Sequence, residues 1–257
     1  MNHAKLTVRS IRARAVSAPM KFPLGTSAAR MNRAPFVLLD LYTNEDIVGH
    51  AHVFCYMELA APMICEVLEE AGSLLTGVSL EPETLSKICR DHFMLLGHQG
   101  IIGMAISAID VACWDALSQA SGLPLSKYLG GDLLSIPAYN SNGLSLSSDA
   151  VDVGEISDEA SSLLDQGFNA IKIRLGRLDH GEDIKAIRAA RSAISNESFL
   201  MSDYNQALSV PDALARGADL EQEGLYWIEE PISNEDLKGN AQVTKALRVS
   251  IQNGENY

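Results

Sequence analysis

Acidic residues follow three short apolar runs in the second half of the chain. Asp203 follows "FLMS", Glu229 follows "LYWI" and Glu255 follows "VSIQNG", and the same interval separates each acid from the next. One strand–helix unit fits each interval, and barrels of parallel strands present their chemistry at the carboxyl ends of those strands. Three carboxylates placed together repel one another unless a cation neutralises them. Oxygen ligands without Cys or His favour Mg²⁺, with Mn²⁺ as a second choice.

A basic pair precedes these acids on the run "NAIKIRLG". Lys172 and Arg174 are two residues apart, so on a strand they face the same side. A metal with two cations beside it would bind an anionic substrate such as a carboxylate and stabilise the charge that develops when a neighbouring proton is removed. The alternative is that each acid is only a helix N-cap. That explanation suits a single acid better than three acids at equal intervals.

The elements that must hold these residues alternate along the second half of the chain. Short apolar strands separated by helices predict a parallel sheet, either open or closed as a barrel. The run "IPAYNSNG" is predicted to be the first strand and turn. Helices are predicted near Ser157–Gln166, with Ser157 as N-cap and Gly167 as the stop, near Gly181–Ile194, and in "SVPDALARGADLEQEG" with Ser209 as N-cap and Gly224 past the end.

The first half reads as an antiparallel meander followed by helices. A long polar and basic connection, "PMKFPLGTSAARMNRAP", is predicted to be a loop, either a functional lid or a mobile surface loop. A third helix, in "GIIGMAISAIDVACWDALSQASG", is apolar nearly all round and should be central, with Asp110 and Asp115 as structural polar groups. The other predicted elements are strands at Leu6–Ser17, Pro35–Tyr42 and Ile47–Phe54 and helices at Glu58–Leu75 and Glu81–Leu95.

Composition narrows the class of protein. The 257 residues carry a formal net charge of −13, which disfavours binding to a nucleic-acid backbone. Apolar runs are short and broken by charge, so neither secretion nor a membrane span is expected. The four cysteines (Cys55, Cys65, Cys89 and Cys113) have no zinc-site spacing, so reduced thiols in a cytoplasmic protein are expected.

Taken together, several motifs resemble the enolase superfamily, most closely its mandelate racemase subgroup. They are "VLLDLYTNEDIVGH", "AISAIDVACWDALSQASGLPLSKYLGG", "AIKIRLG", "SDYNQALSVPDA", "EGLYWIEEPI" and "QNGENY". The resemblance implies an α/β fold class, with an α+β N-terminal capping domain at residues 1–130. An incomplete, TIM-like (β/α) barrel of roughly five strands would follow at 131–257. It also implies Mg²⁺-dependent removal of the proton α to the carboxylate of a small hydroxy acid or sugar acid.

The same resemblance implies roles for individual residues. The Mg²⁺ ligands would be Asp203, Glu229 and Glu255. The catalytic pair that also binds the substrate carboxylate would be Lys172 and Arg174, with Lys172 matching the first lysine of the K-x-K motif. Substrate contacts would come from Asn205 and Tyr56, Glu230 would support the metal ligands, and the segment from Lys21 to Arg33 would be the lid.

Two departures from the family pattern leave the reaction open. Arg174 replaces the second lysine of K-x-K, and a guanidinium is a poor proton acceptor, which favours a sugar-acid dehydratase over a two-base racemase. The chain also stops two residues after Glu255, before the expected His–Asp dyad. We therefore expect the N-terminal part of a longer, homo-oligomeric enzyme. The alternatives are a non-catalytic relative that serves as a scaffold or oligomerisation remnant, and an unrelated open α/β binding protein.

Overall fold

The chain consists of two structural units. The computed structural model describes residues 5–255. Unit 1 comprises Arg33–Ser135 together with the residues up to Met20, and unit 2 comprises Lys21–Asn32 together with the residues from Ile136 onward.

The first three strands form an antiparallel meander, as predicted, and most of its residues belong to unit 1. The strands are β1 (Val8–Gly25), β2 (Arg30–Thr43) and β3 (Val48–Phe54), in that order. β2 and β3 are joined by a tight turn in "TNED", in which Asp46 has a positive φ of 59°. Alternate residues of β2 (Val37, Leu39 and Leu41) are buried, so one face of the sheet packs into the core.

The prediction of a long loop between the first two strands is wrong. β1 runs on to Gly25 and β2 starts at Arg30, so only Thr26–Ala29 lies between the two strands. The residues of this ribbon are mostly exposed, so the sequence lacks the alternation of apolar and polar residues that marks a half-buried strand. Arg33 stabilises the base of the ribbon, because its Nε donates to Ser17 Oγ at 2.9 Å.

The helices of unit 1 pack on the meander around one central helix. They are α1 (Ala60–Leu75), α2 (Pro82–His92), α3 (Gly100–Ser121) and the short α4 (Leu125–Tyr128). α3 lies so close to β3 that a Cβ on Gly49 would be 1.9 Å from the Ala112 carbonyl oxygen. The Asp115 carboxylate accepts from the His50 backbone N–H and from Gln119 Nε2, so its structural role is confirmed.

By length and composition alone, α3 is the one described helix that could cross a membrane. Half of its most apolar stretch is buried inside unit 1. The helix contributes Ala105, Ile109, Cys113 and other side chains to the core of that unit, which accounts for its apolar composition.

Unit 2 alternates strands and helices around a parallel sheet, which confirms the predicted fold class. The strands, in spatial order, are β4 (Ala170–Arg174), β5 (Phe199–Asp203), β6 (Trp227–Glu229) and β7 (Ser250–Gln252). The helices between and before them are α5 (Val153–Leu164), α6 (His180–Ala193), α7 (Val210–Leu220) and α8 (Leu237–Ala246). Ser209 caps α7 as predicted, by accepting from the Asp212 N–H.

The predicted first strand of the barrel, in "IPAYNSNG", is absent from the described structure. This segment makes one parallel bridge, between Asn140 and Ile171. The Asn140 side chain accepts from the Asn142 N–H at 2.9 Å, and Gly143 has a φ of 107°, so the backbone turns away instead of extending.

The predicted N-cap at Ser157 is also wrong. α5 begins four residues earlier, where the Asp152 side chain accepts from the Glu155 N–H at 3.0 Å. Ser157 instead lies within the helix and donates to the Ala189 carbonyl of α6 at 3.2 Å. Both residues are good N-caps, and packing against α6 decides between them.

A buried charge network fixes the connection after β4. Asp183 is fully buried and accepts from Arg177 Nη1 at 3.3 Å and from Arg216 Nη1 at 3.2 Å. The Gly176 and Arg177 backbone N–H groups also donate to it. Burial, followed by the Asp183 charge, raises the pKa of the nearby Tyr204 phenol. This carboxylate therefore joins the β4–α6 loop to α7.

We predict that Asp183→Asn lowers the free energy of unfolding by about 3–5 kcal/mol, because it leaves two arginines without a buried counter-charge. The measurement is urea denaturation followed by far-ultraviolet circular dichroism. Lys185→Gln, which removes an exposed ion pair with Glu182 on the same helix, is the matched control and should leave the midpoint unchanged. Equal midpoints for the two variants would contradict the prediction.

A second prediction concerns the thiols, all four of which are free. Burial raises the pKa of Cys89 to about 11, and burial followed by Asp110 raises that of Cys113 to about 12. At pH 8 roughly a thousandth or less of either group is thiolate. Both should therefore resist iodoacetamide in the folded chain and react in urea, as read by peptide mass spectrometry. Alkylation of Cys89 or Cys113 in the folded chain at the rate seen in urea would contradict their burial in the core.

Candidate metal centre

The ends of four parallel strands bring ionisable and amide side chains into one row. Arg174 of β4 pairs in register with Asp203 of β5, Asp203 pairs with Glu229 of β6, and Glu229 pairs with Gln252 of β7. Residues paired in register on parallel strands face the same side of the sheet. The row therefore places two carboxylates side by side at the carboxyl ends of the strands.

Lys172 connects the two carboxylates. Its Nζ is 2.6 Å from Glu229 Oε1 and 3.1 Å from Asp203 Oδ2. All three side chains are at most 6% exposed. One ammonium group thus lies between two carboxylates and neutralises only half of their charge.

The pKa values of Lys172 and Glu229 are both raised, for different reasons. Burial lowers the pKa of Lys172, but the charges of Asp203 and Glu229 outweigh burial, so the net shift is upward. Burial raises the pKa of Glu229, and the repulsion from Asp203 adds to it, while Lys172 opposes both. Lys172 contacts both carboxylates, which still repel each other. A hard cation bound to both acids would lessen that repulsion.

Arg174 faces the same charges from the end of β4. Burial lowers its pKa, and Asp203, Glu229 and Glu255 act in the opposite direction. Its Nη1 donates to the Ser141 carbonyl at 2.9 Å, while its buried Nε has no partner within the described chain. An arginine keeps its proton at ordinary pH even when its pKa is lowered. The free Nε–H is therefore a fixed donor for an anion.

Glu255 does not share the register of the other two acids, so the predicted common register is wrong, whereas its role as a metal ligand stays a prediction. Gln252 is the strand partner of Glu229, and Glu255 lies three residues further on, past the end of β7 and exposed. Within residues 5–255, no three Asp, Glu, His or Cys side chains are close enough to hold a metal together. Equal intervals in sequence did not give equal register, because the connection before β7 is shorter than the one before β6.

Two carboxylates and two amide oxygens without a described partner belong to residues at the ends of β5, β6 and β7. The buried Oδ1 of Asn205 and the buried Oε1 of Gln252 have no donor among the described residues. Asn205, Gln206 and Glu230 have positive φ values of 45°, 67° and 37°, so the backbone is strained where β5 and β6 end. These uncharged and anionic oxygens suit a hard divalent cation.

The other predicted residues lie in different places. Glu230 is buried next to Glu229 and accepts from Gln206 Nε2 at 3.3 Å. Tyr56 belongs to unit 1, is 47% exposed, and has a φ of 57°. Its predicted contact with substrate stays a prediction.

Sequence reasoning missed three side chains at or near this row. Trp227 Nε1 donates to Glu229 Oε2 at 3.1 Å, and the Tyr139 ring centroid is 5.5 Å from Lys172 Nζ. Ser27, at the tip of the β1–β2 ribbon, donates to the Tyr204 carbonyl at 2.7 Å. Strand alternation puts Trp227 on the same face as Glu229, two residues away. The contact between these two side chains could therefore have been predicted from the sequence.

The two halves of the chain match two parts of one enzyme family. Residues 8–130 match the N-terminal domain of the mandelate racemase/muconate lactonizing enzyme family, and residues 155–257 match the enolase C-terminal domain-like family. The chain belongs to the enolase superfamily, in its mandelate racemase/muconate lactonizing enzyme group. This family contains dehydratases, cycloisomerases, epimerases and racemases.

Individual relatives are similar over different lengths. A crystal structure of an enolase from Bradyrhizobium, complexed with magnesium and mandelic acid, superposes with a TM-score of 0.91 at 37% identity, covering 99% of this chain and 69% of that one. L-talarate/galactarate dehydratase of Salmonella typhimurium is 36% identical over 62% of this chain and 39% of that enzyme. D-galactarolactone cycloisomerase of Agrobacterium fabrum is 27% identical over 98% of this chain and 66% of that enzyme.

The matched region is only part of some relatives. It spans 39% of the Salmonella dehydratase and 48% of a 3,6-anhydro-alpha-L-galactonate cycloisomerase of Streptomyces coelicolor. The family is therefore established, while the activity of the whole protein is a matter for proposal.

The contact between Lys172 and the two acids gives a third prediction. Lys172→Met should lower the free energy of unfolding by about 3 kcal/mol at pH 8, because two buried carboxylates then lack a cation. The pKa of Glu229, already raised by burial, should rise further. A carboxyl with a higher pKa in the folded state binds its proton more tightly there, so stability is lost as pH rises through that pKa.

The deficit of Lys172→Met should therefore shrink as the pH falls toward the ordinary carboxyl value of 4.5. Urea titrations of the wild-type and variant chains at pH 8 and pH 5.5 measure this difference. Lys127→Met, which removes an exposed pair with Asp132, is the control and should show no such pH dependence. A deficit that is constant with pH would contradict the argument.

Proposed function

We propose that this chain carries the cation and carboxylate site of a Mg²⁺-dependent, cytoplasmic sugar-acid dehydratase of the enolase superfamily. The observation that carries the proposal is the pair Asp203 and Glu229, in register and in contact with Lys172 at the carboxyl ends of parallel strands. Support for a sugar acid comes from the names of the relatives, which include L-talarate/galactarate dehydratase and arabinonate dehydratase.

Asp203 and Glu229 would hold the metal ion. Glu255 would join them by a movement of the three residues after β7, since its charge already acts on Arg174. Glu230 would support Glu229 from the adjacent position. When bound, Mg²⁺ would supply positive charge to the carboxylate oxygens of the substrate and stabilise the negative charge that develops there. Mn²⁺ has the same preference for oxygen ligands and is the second candidate.

Lys172 and Arg174 would bind the substrate carboxylate. Arg174 offers a buried Nε–H without a partner, held in place by the bonds from Nη1 to the Ser141 and Gly143 carbonyls. Lys172 offers an ammonium group that already contacts two carboxylates. The Asn205 amide, whose Oδ1 has no donor among the described residues, would accept from a hydroxyl group of the acid.

Dehydration is favoured over racemisation by the chemistry of Arg174. Racemisation needs a proton acceptor on each face of the α-carbon, and an arginine is a poor acceptor. In a dehydration, the α-proton passes to a base, the β-hydroxyl takes up a proton and leaves as water, and the resulting enol becomes a 2-keto-3-deoxy acid. Lys172 and Arg174 then need only hold the carboxylate and its charge.

Mg²⁺ binding is the first test. Calorimetry on the purified chain should show one Mg²⁺ site in the wild type, lost in Asp203→Asn and in Glu229→Gln, because each variant removes one of two anionic ligands. Glu223→Gln, an acid that pairs with Arg188 on the surface, is the matched control and should bind as the wild type does. No heat of binding in a chain that is folded by circular dichroism would overturn the metal site.

Binding of an acid is the second test. Galactarate should bind in the presence of Mg²⁺ and at least ten times more weakly to Arg174→Gln, since one fixed, charged hydrogen bond contributes about 1.5–3 kcal/mol. Where turnover occurs in deuterium oxide, nuclear magnetic resonance separates the reactions. A 2-keto-3-deoxy product supports the dehydratase, whereas α-deuterium incorporation with inversion and no loss of water would favour the racemase.

A further inference from the structure

The two oxygens of Glu229 have different partners. Oε1 contacts Lys172 Nζ at 2.6 Å, whereas Oε2 accepts from the indole Nε1–H of Trp227 at 3.1 Å. Trp227 and Glu229 are two residues apart on β6, so they face the same side of the sheet. One oxygen therefore faces the Lys172 ammonium, and the indole N–H holds the other.

The indole is itself fixed in place. The Trp227 ring packs edge-on against Tyr139, with centroids 5.5 Å apart and planes at 85°. It also packs against Tyr226, with centroids 5.4 Å apart and planes tilted at 48°. Its backbone pairs with Ser250 of β7. A donor held by a strand and two rings does not follow the carboxylate when the carboxylate rotates.

Asp203 has the same division of its oxygens. Its Oδ1 accepts from the Asn205 backbone N–H at 2.8 Å, and its Oδ2 faces Lys172 Nζ at 3.1 Å. Each of the two acids thus has one oxygen facing Lys172, where the proposed metal ion would approach, and a neutral N–H holds the other. A neutral donor orients the carboxylate without reducing the negative charge that attracts a cation. A second lysine or arginine in the same place would reduce that charge.

We propose that Trp227 is a positioning residue that makes Glu229 a monodentate ligand and so favours Mg²⁺ over Ca²⁺ at this site. The inference depends on the metal site of the proposed function. Mg²⁺ requires near-octahedral geometry with single oxygens at short distances, whereas Ca²⁺ accepts both oxygens of one carboxylate. Without the indole N–H, Glu229 is free to turn and present both oxygens. Loss of such an outer partner typically lowers metal affinity 10–100-fold.

The test compares Trp227→Phe with the wild type by calorimetry, using Mg²⁺ alone and Ca²⁺ alone. Phe keeps a ring against Tyr139 and removes only the donor. The variant should bind Mg²⁺ 10–100-fold more weakly and lose much less affinity for Ca²⁺, so the ratio of the two affinities changes. Trp114→Phe, at the only other tryptophan in the chain, is the control and should keep the wild-type ratio.

Equal weakening for both ions would show a merely structural role and overturn the inference, as would unchanged Mg²⁺ affinity. Absence of Mg²⁺ binding to the folded wild type would instead overturn the proposed function, so the two failures are distinct.

A second measurement leaves Trp227 intact and decides the case if Trp227→Phe does not fold. In Trp114→Phe, the indole of Trp227 is the only tryptophan fluorophore. Mg²⁺ should change its emission with the affinity measured by calorimetry, and the added substitution Glu229→Gln should abolish the change. Mg²⁺ binding without any change in emission would overturn the inference, because a metal on Oε1 alters the charge of the carboxylate that Nε1–H contacts.

Discussion

The functional part of this molecule depends on one buried ammonium group held between two buried carboxylates. Lys172, Asp203 and Glu229 all leave water when the strands pair, and burying a charge without a partner is costly. The cluster is tolerated because two lysine contacts, at 2.6 and 3.1 Å, join the acids. Arg174 faces the same two acids from the end of β4, so two cations and two anions meet at the carboxyl ends of the strands, where we propose that a metal ion binds.

The sheet supports this cluster by fixing the register of its members. Backbone bonds continue the pairing past the strand ends, with the Glu230 N–H on the Gln252 carbonyl and the Gln206 N–H on the Glu230 carbonyl. These bonds hold the residues with positive φ in place, and strained backbone of this kind persists only where its surroundings determine it. Behind β4, the Asp183 network holds the loop that follows Arg174. The charged row therefore lies on rigid elements.

Much of the fold was predictable because its signals are local. The meander, the three long helices of unit 1 and the alternation of strands and helices in unit 2 follow from apolar periodicity and turn residues. The predictions that were wrong concern segments where contacts between elements override the local sequence pattern. The end of β1 is mostly exposed and was predicted to be a loop. The segment "IPAYNSNG" was predicted to be a strand, but Asn140 forms a turn there. Ser157 was predicted to be the N-cap of α5, but Asp152 has that role.

For the site, the sequence by itself determined the chemistry: carboxylates at strand ends, a lysine and an arginine on the preceding strand, and the motifs of the enolase superfamily. Only the tertiary structure decided which of these groups meet. It put Gln252 rather than Glu255 beside Glu229, placed Lys172 between two acids, and assigned Trp227 to the outer oxygen of Glu229. The physical reason is that residue types and intervals are written in the chain, whereas register and contact depend on connection lengths and on packing between elements distant in sequence.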